Sequence, residues 1–417
     1  MLIEFSVENF RSIKNEQVLS LLSSKSKKSK NNTFSVKLSS QKSVSLLSSA
    51  AIYGANASGK TNIIKAISTM INIVVNLQER LFHLPHQPFA FNKETIRLPT
   101  KFNIIFIIDD VQYEYGFVID KYKVYAEWLY KDRQTIFTRE LKEIDSLDYI
   151  YKFPSGNLSG QKETWKNSTR PDALFLSIAV SLNSIQLKPI YDWFNHTLEI
   201  KFNFNIGDID KTTTLCDIKF QKQEILDFLQ EADFYITDIN AKRHNDIAKI
   251  PSPVLEGIFK HNFQTINETL ANIFDIKFKH PTNYNDGQFL DIRDESDGTQ
   301  KMYVLAGYWL EALKTNKVIF FDELNNSLHP LLVRFLINKF NFRSKKSNSQ
   351  LIFTTHDISI LDQKILDRDQ IWFCERSSEQ ATILKSLLEF KARSDISNYE
   401  RAYLSGRYGA IPIIDEE

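Results

Sequence analysis

The feature that most limits what this chain can fold into is the run Gly54-Ala55-Asn56-Ala57-Ser58-Gly59-Lys60-Thr61, which fits the pattern G-x-x-x-x-G-K-[ST]. Its flanks supply the context the pattern needs. Small and apolar residues at 50–53 predict a strand before it, and Ile63, Ile64, Ile67, Ile71 and Val74 or Val75 mark a helix after it. With 12 glycines in 417 residues, chance supplies roughly 0.01 such matches per chain of this length. In a turn of this kind, backbone N–H groups and the helix N-terminus point at phosphates. Lys60 would add a cation at the β and γ phosphates, and Thr61 a hydroxyl for Mg²⁺. The pattern therefore predicts a site for ATP and Mg²⁺ built from Gly54, Asn56, Ala57, Ser58, Gly59, Lys60, Thr61 and Asn62.

Strands and helices alternate around this loop. Residues 2–8 alternate apolar and polar side chains as a short strand does, and 102–108 and 113–118 read as an antiparallel pair joined at Asp109-Asp110. Further on, 302–313 and 330–340 read as helices, and 318–321 and 351–354 as buried strands. That order predicts a parallel sheet with βαβ crossovers. Residues 34–38 and 44–47 read as a hairpin. The Ser- and Lys-rich stretch before it, with Lys25, Lys27, Lys28 and Lys30, is either a solvated loop or a patch that touches phosphate. Residues 120–290 mix helical stretches such as 224–229 with short aromatic strands such as 201–205, and carry no chemical motif.

Composition narrows the setting. Hydrophobic residues at 42%, charged residues at 25%, 31 Phe and 16 Tyr describe a folded chain. The 52 Lys and Arg against 51 Asp and Glu leave no whole-molecule attraction to nucleic acid or to an anionic membrane. Cys216 and Cys374 are too isolated for a zinc module or a disulfide framework, which fits a reducing cytoplasm. The start, Met1-Leu2-Ile3-Glu4-Phe5, lacks a signal-peptide pattern. The apolar run 63–77 is broken by Lys65, Ser68 and Asn72 and falls short of the roughly 20 residues a membrane span needs. A cytoplasmic protein with no membrane partner is expected.

Two strand ends carry further chemistry. The apolar run 318–321 ends in Asp322 and Glu323, where Asp322 would hold Mg²⁺ through water and Glu323 would orient or deprotonate an attacking water. A helix cap is the alternative for the pair. His356 follows the strand 351–354, and since ligands of open α/β sheets gather at such carboxyl ends it would sit beside the γ phosphate, a structural hydrogen-bonding role being the alternative. Glu295-Ser296-Asp297-Gly298-Thr299-Gln300 precedes a predicted helix, with Ser296 or Asp297 as a plain N-cap in the simplest reading.

The full set resembles the cassette-type ATPases of the SMC and RecF kind, and more closely the RloA or AbiL-like ATPases of bacterial abortive-infection systems. The residues that carry the resemblance are Phe5, the stretch Glu8-Asn9-Phe10-Arg11-Ser12-Ile13, the phosphate loop and Ser296 to Gln300. To these are added Asp322-Glu323-Leu324 with Ser327-Leu328-His329-Pro330, Thr354-Thr355-His356-Asp357, residues 369–373 and residues 406–412. The resemblance implies an α/β fold, an ABC-type P-loop ATPase head with a mixed sheet and an antiparallel N-terminal subdomain. The head would be discontinuous over 1–119 and 291–417, with an inserted α+β or helical subdomain at 120–290.

It also implies a head-to-tail homodimer with ATP at the interface, in which Ser296 and Gly298 of one subunit meet the γ phosphate held by the other. The signature reads Ser-Asp-Gly-Thr-Gln, not the transporter form, and Asn325 stands where the family usually has Asp. Glu323 and His356 would be catalytic. Arg11 is either a phosphate or ribose contact or a surface arginine, and Gln87 either a Mg²⁺ and water contact or part of a plain turn. The function expected is an ATPase that dimerises on nucleotide and controls a separately encoded, Toprim- or nuclease-like effector in anti-phage defence. The alternative is a RecF-like repair ATPase that clamps DNA, so nucleic acid stays open as a partner.

Overall fold

The computed structural model describes residues 1–24, 32–76, 83–143, 146–202, 206–243, 274–284, 286–342, 347–390 and 398–411. Lys25, Lys27, Lys28, Lys30, Pro412 and the end of the expected strand 201–205 lie outside them. In chain order the strands are β1 (Leu2–Glu8), β2 (Gln17–Ser20), β3 (Thr33–Lys37), β4 (Ser43–Leu47), β5 (Ser49–Tyr53), β6 (Thr100–Ile108), β7 (Val111–Ile119), β8 (Val124–Lys131) and β9 (Gln134–Leu141). They continue with β10 (Tyr149–Lys152), β11 (Leu198–Lys201), β12 (Asp238–Arg243), β13 (Phe274–His280), β14 (Gln288–Asp291), β15 (Val318–Phe321), β16 (Gln350–Thr354), β17 (Ile371–Arg376) and β18 (Thr382–Ser386). The helices are α1 (Lys60–Val75), α2 (Lys162–Ser168), α3 (Phe175–Ser181), α4 (Lys188–Asp192), α5 (Ile206–Cys216), α6 (Lys219–Glu231), α7 (Asp297–Thr315), α8 (Pro330–Asn341) and α9 (Tyr399–Leu404). None is long and apolar enough to cross a membrane among the described residues.

The chain divides into two compact units, one of Met1–Ile200, Asn316–Leu324 and Ile337–Glu417, the other of Lys201–Thr315 and Asn325–Leu336. The first holds two large sheets and the antiparallel hairpin of β3 and β4. A seven-stranded sheet runs β10-β9-β8-β7-β6-β1-β2, antiparallel in each of its pairings. A six-stranded sheet runs β11-β15-β16-β5-β17-β18, with β15, β16, β5 and β17 parallel to one another and β18 antiparallel on β17. Each residue of β5, β15 and β16 is buried, as expected of parallel strands covered on both faces.

Strands β8 and β9 carry the antiparallel sheet past residue 119, and two charged side chains on them point inward. Glu127 and Arg139 are fully buried. The Glu127 carboxylate accepts the backbone N–H of Phe175 at 2.6 Å and of Leu176 at 3.0 Å, the free amides at the start of α3. Arg139 donates to the carbonyls of Ala173 and Arg170 and stacks on Tyr149. Burial pushes the Glu127 carboxyl up, and Arg139 and these donors pull it back.

In the second unit β12, β13 and β14 form an antiparallel sheet. Helices α5 and α7 approach closely at Gly307, where a Cβ would stand 2.3 Å from Thr212 Oγ1. The same hydroxyl donates to the Val304 carbonyl at 3.0 Å.

One buried amide ties the first strand to the loop that carries Gln87. Asn9, with φ of 52°, reaches the carbonyls of Thr95, Leu98 and Pro99 through Nδ2 and accepts the Phe89 N–H at 3.0 Å. Asparagine tolerates this left-handed backbone better than most residues. Asn9→Ala should lower unfolding stability by about 2–4 kcal/mol, because buried backbone groups lose partners and alanine fits the φ poorly. Urea unfolding followed by tryptophan fluorescence measures it. A change within about 0.5 kcal/mol, the range of an ordinary surface substitution, would show that the loop is held some other way.

Candidate functional site

The parallel register brings four strand ends to one edge of the six-stranded sheet. Phe321 pairs with Phe353, Phe353 with Ala51, and Phe373 with Tyr53. The phosphate loop leaves β5 there, Asp322 and Glu323 follow β15, and Thr355 and His356 follow β16. The Thr355 N–H donates to the Ile52 carbonyl at 3.1 Å, which holds the segment before His356 against β5. In strand order His356, which is exposed, thus falls between the acids and the loop.

Within the loop, Ala57 and Gly59 adopt φ of 61° and 107°. A Cβ at Gly59 would stand 1.9 Å from Thr382 Oγ1, and one at Gly54 would stand 2.2 Å from the Cys374 carbonyl oxygen. Both glycines are therefore required by close approach as well as by conformation. Asn56 and Ala57 are exposed at the tip. Lys60 opens α1 and folds its ammonium over the loop, donating to the carbonyls of Gly54 at 2.8 Å and Ala55 at 3.0 Å. Burial lowers the Lys60 ammonium from its ordinary value, while the fields of Cys374, Glu323 and Asp322 raise it. The strand-end acids therefore lie within electrostatic reach of the lysine.

Thr354, the last residue of β16, organises those acids. Its hydroxyl donates to Asp322 Oδ1 at 2.6 Å and accepts the Glu323 N–H at 2.7 Å. Its carbonyl takes the Leu324 N–H at 3.2 Å. Asp322 is buried, whereas Glu323, at φ of 53°, is exposed. A non-glycine residue held at positive φ costs free energy that the surrounding bonds must offset.

The loop is also held from behind. The Ser58 carbonyl accepts Thr382 Oγ1 at 3.0 Å and Cys374 Sγ at 3.3 Å. Burial pushes the Cys374 thiol up to about 12, so it stays protonated and able to donate. Asn62, in the first turn of α1, gives its side-chain amide to Ser12 Oγ at 2.6 Å. Arg11 stands with φ of 52° at the tip of the turn that also carries Ser12, and its N–H meets the Gln87 carbonyl at 2.6 Å. Arg11 and Gln87 are thereby neighbours through their backbones, with the Gln87 side chain exposed. Thr354, Thr382, Ser12 and Cys374 were not picked out as working side chains from sequence. No motif marks Thr382, and only the strand pairing of β17 with β18 could have pointed to it.

Ser296 and Gly298 belong to the second unit. Ser296 Oγ accepts the Thr299 N–H at 3.1 Å, so it caps α7. Gln300 Nε2 returns to the Glu295 carbonyl at 3.0 Å. A Cβ on Gly298 would meet nothing nearer than Ser296 Oγ at 3.7 Å among the described residues, so the chain's own packing does not demand glycine. In the tail, Tyr408 is buried and stacks on Phe373 at 5.1 Å between Gly406 and Gly409, both at positive φ. That turn packs against the sheet.

A family model described as "AAA domain, putative AbiEii toxin, Type IV TA system" matches residues 49–362. A search of curated proteins gives no match. Among solved structures, the SMC head domain from Thermotoga maritima superposes with a TM-score of 0.45 at 11% identity, over 92% of this chain and 98% of that one. An SMC head domain with an extended coiled coil, bound to the C-terminal domain of ScpA derived from Pyrococcus furiosus, gives 0.41 at 13% identity, over 93% and 97%.

Thr354→Val keeps the shape and removes the hydroxyl. Nucleotide turnover should fall about 10- to 100-fold, since both acids lose their common anchor, with nucleotide affinity changed less. Steady-state phosphate release at saturating nucleotide reads this, and wild-type turnover would exclude Thr354 from organising the acids.

Proposed function

We propose, for a chain that belongs to this AAA-domain family and is a P-loop ATPase, a role as a nucleotide-gated switch in anti-phage defence. Its fold is the ABC-type ATPase head, α/β with several sheets. The observation that carries the reading is the convergence of Lys60 with Asp322 and Glu323 at one sheet edge.

Residues of the loop would take the triphosphate through their N–H groups, with Lys60 leaving the Gly54 and Ala55 carbonyls for the β and γ phosphates. Mg²⁺ in ATPase sites keeps waters and takes one or two protein oxygens besides phosphate, a demand that Thr61 and the buried Asp322 carboxylate would meet. Bound there, it would offset charge on the phosphates. Glu323 would take a proton from water as that oxygen bonds to the γ phosphorus and the bond to the bridging oxygen breaks. His356 would contact the γ phosphate from the adjoining strand end.

The switch itself would be a head-to-tail homodimer, each phosphate loop facing the Ser296 and Gly298 of its partner. Gly298 supports this, because the space it leaves open at a helix N-terminus is room for an anionic group to approach backbone amides. The AbiEii toxin wording of the family description supports placing the output in defence; a separately encoded, Toprim- or nuclease-like effector, a cytoplasmic location and a place near the RloA or AbiL-like ATPases would go with that role. Of the expected ATPase body at 1–119 and 291–417 with an insertion at 120–290, the insertion would begin later, because β8, β9 and β10 belong to the seven-stranded sheet of the first unit.

Glu323→Gln should keep MgATP binding, lose turnover by about 10²- to 10⁴-fold, and accumulate as an ATP-bound dimer in light scattering. Lys60→Ala and Gly298→Glu should each prevent that dimer, the first by losing nucleotide. A Glu323→Gln protein that saturates with MgATP and stays monomeric would overturn the dimer. Salt-resistant binding of duplex DNA by the ATP-bound form would favour a DNA clamp instead.

A further inference from the structure

Asn62, Ser12, Thr382 and Ser58 form one continuous hydrogen-bonded path. Asn62 Nδ2 lies 2.6 Å from Ser12 Oγ, Ser12 Oγ 2.7 Å from Thr382 Oγ1, and Thr382 Oγ1 3.0 Å from the Ser58 carbonyl. The ends of the path fix its direction. An amide NH₂ can only donate and a carbonyl can only accept. Thr382 must therefore spend its proton on Ser58, and Ser12 must give its own proton to Thr382 while accepting from Asn62. Each hydroxyl is both donor and acceptor, so the bonds polarise one another. The Thr382 N–H adds a bond to the Ser12 carbonyl at 2.7 Å. Thr382 is almost completely buried.

The path begins in the first turn of α1 and ends in the phosphate loop, so it bridges the segment from Ser58 to Asn62 through two residues remote in sequence. Its end point has a geometric result. The chain has no cis peptide among the described residues. In a trans peptide the carbonyl and the following N–H point in opposite directions. Fixing the Ser58 carbonyl on Thr382 and Cys374 therefore turns the Gly59 N–H toward the opposite face, where phosphate would bind.

We propose that Thr382, with Ser12 behind it, is a positioning residue that aims the Gly59 amide at the polyphosphate. It rests on the ATP-site reading above. Thr382 does not touch nucleotide; it acts by holding one peptide plane. Because Arg11 shares a turn with Ser12 and is bonded to Gln87, the same path sets that turn against the loop.

The test compares Thr382→Val, Thr382→Ser and Ser12→Ala by calorimetric titration with MgATP and MgADP, steady-state turnover, and melting without nucleotide. Thr382→Val should raise Kd for both nucleotides and KM on the order of tenfold, the effect of leaving a buried carbonyl short of a strong donor. Its kcat should change little, and Thr382→Ser should restore affinity. Ser12→Ala, at a half-buried site, should shift Kd the same way by a smaller factor, and decides the matter if Thr382→Val does not fold. Wild-type affinity in folded Thr382→Val, or equal loss in Val and Ser variants, would overturn the role of the hydroxyl. A wild-type protein that binds no MgATP would overturn the ATP reading and this inference with it.

Discussion

Everything chemical in the first unit depends on the register of the buried parallel strands β15, β16, β5 and β17. Their side chains pack on both faces, so a slip of one residue would turn core positions such as Ile319, Ile352 and Ile52 the wrong way. That makes the register energetically firm. It therefore also fixes where the next residues fall: Asp322 beside Thr354, Thr355 beside Ile52, and the phosphate loop between β16 and β17. Functional precision at the sheet edge is inherited from apolar packing beneath it.

Polar groups at that edge are then held by a small number of hydroxyls with dual roles. Thr354 serves Asp322 and Glu323 at once, and Thr382 serves Ser12 and Ser58. A hydroxyl is suited to this because it donates one proton and accepts through lone pairs, so it can link two groups of unlike demand. Lysine and carboxylates face each other with different exposure. Lys60 and Asp322 are buried and Glu323 is exposed, which leaves one acid free to meet water.

The local parts of this architecture were legible in the sequence. The phosphate loop, the apolar strand before Asp322 and the strand before His356 are each contiguous, and the structure forms them where the patterns put them. The spacing that marks α1 includes Ile71, which is half-buried, whereas Met70 and Ile73 are buried, a small rotation that three- and four-residue spacing does not resolve. Strands β8 and β9 were missed as parts of the antiparallel sheet. Their inward positions include Glu127 and Arg139, and two buried charges that satisfy each other and α3 erase the apolar alternation. Thr382 was invisible for another reason: nothing in its neighbours signals a partner 324 residues away.

That separation bears on how the protein comes into being. The loop at 54–61 is synthesised long before the cysteine and the threonine that hold the Ser58 carbonyl, at separations of 316 and 324 residues. A nascent polypeptide thus carries the glycines and lysine of the loop without the geometry that aims its amides. Docking of β17 on β5, with β18 beside it, would then complete the geometry proposed for the Ser58 carbonyl.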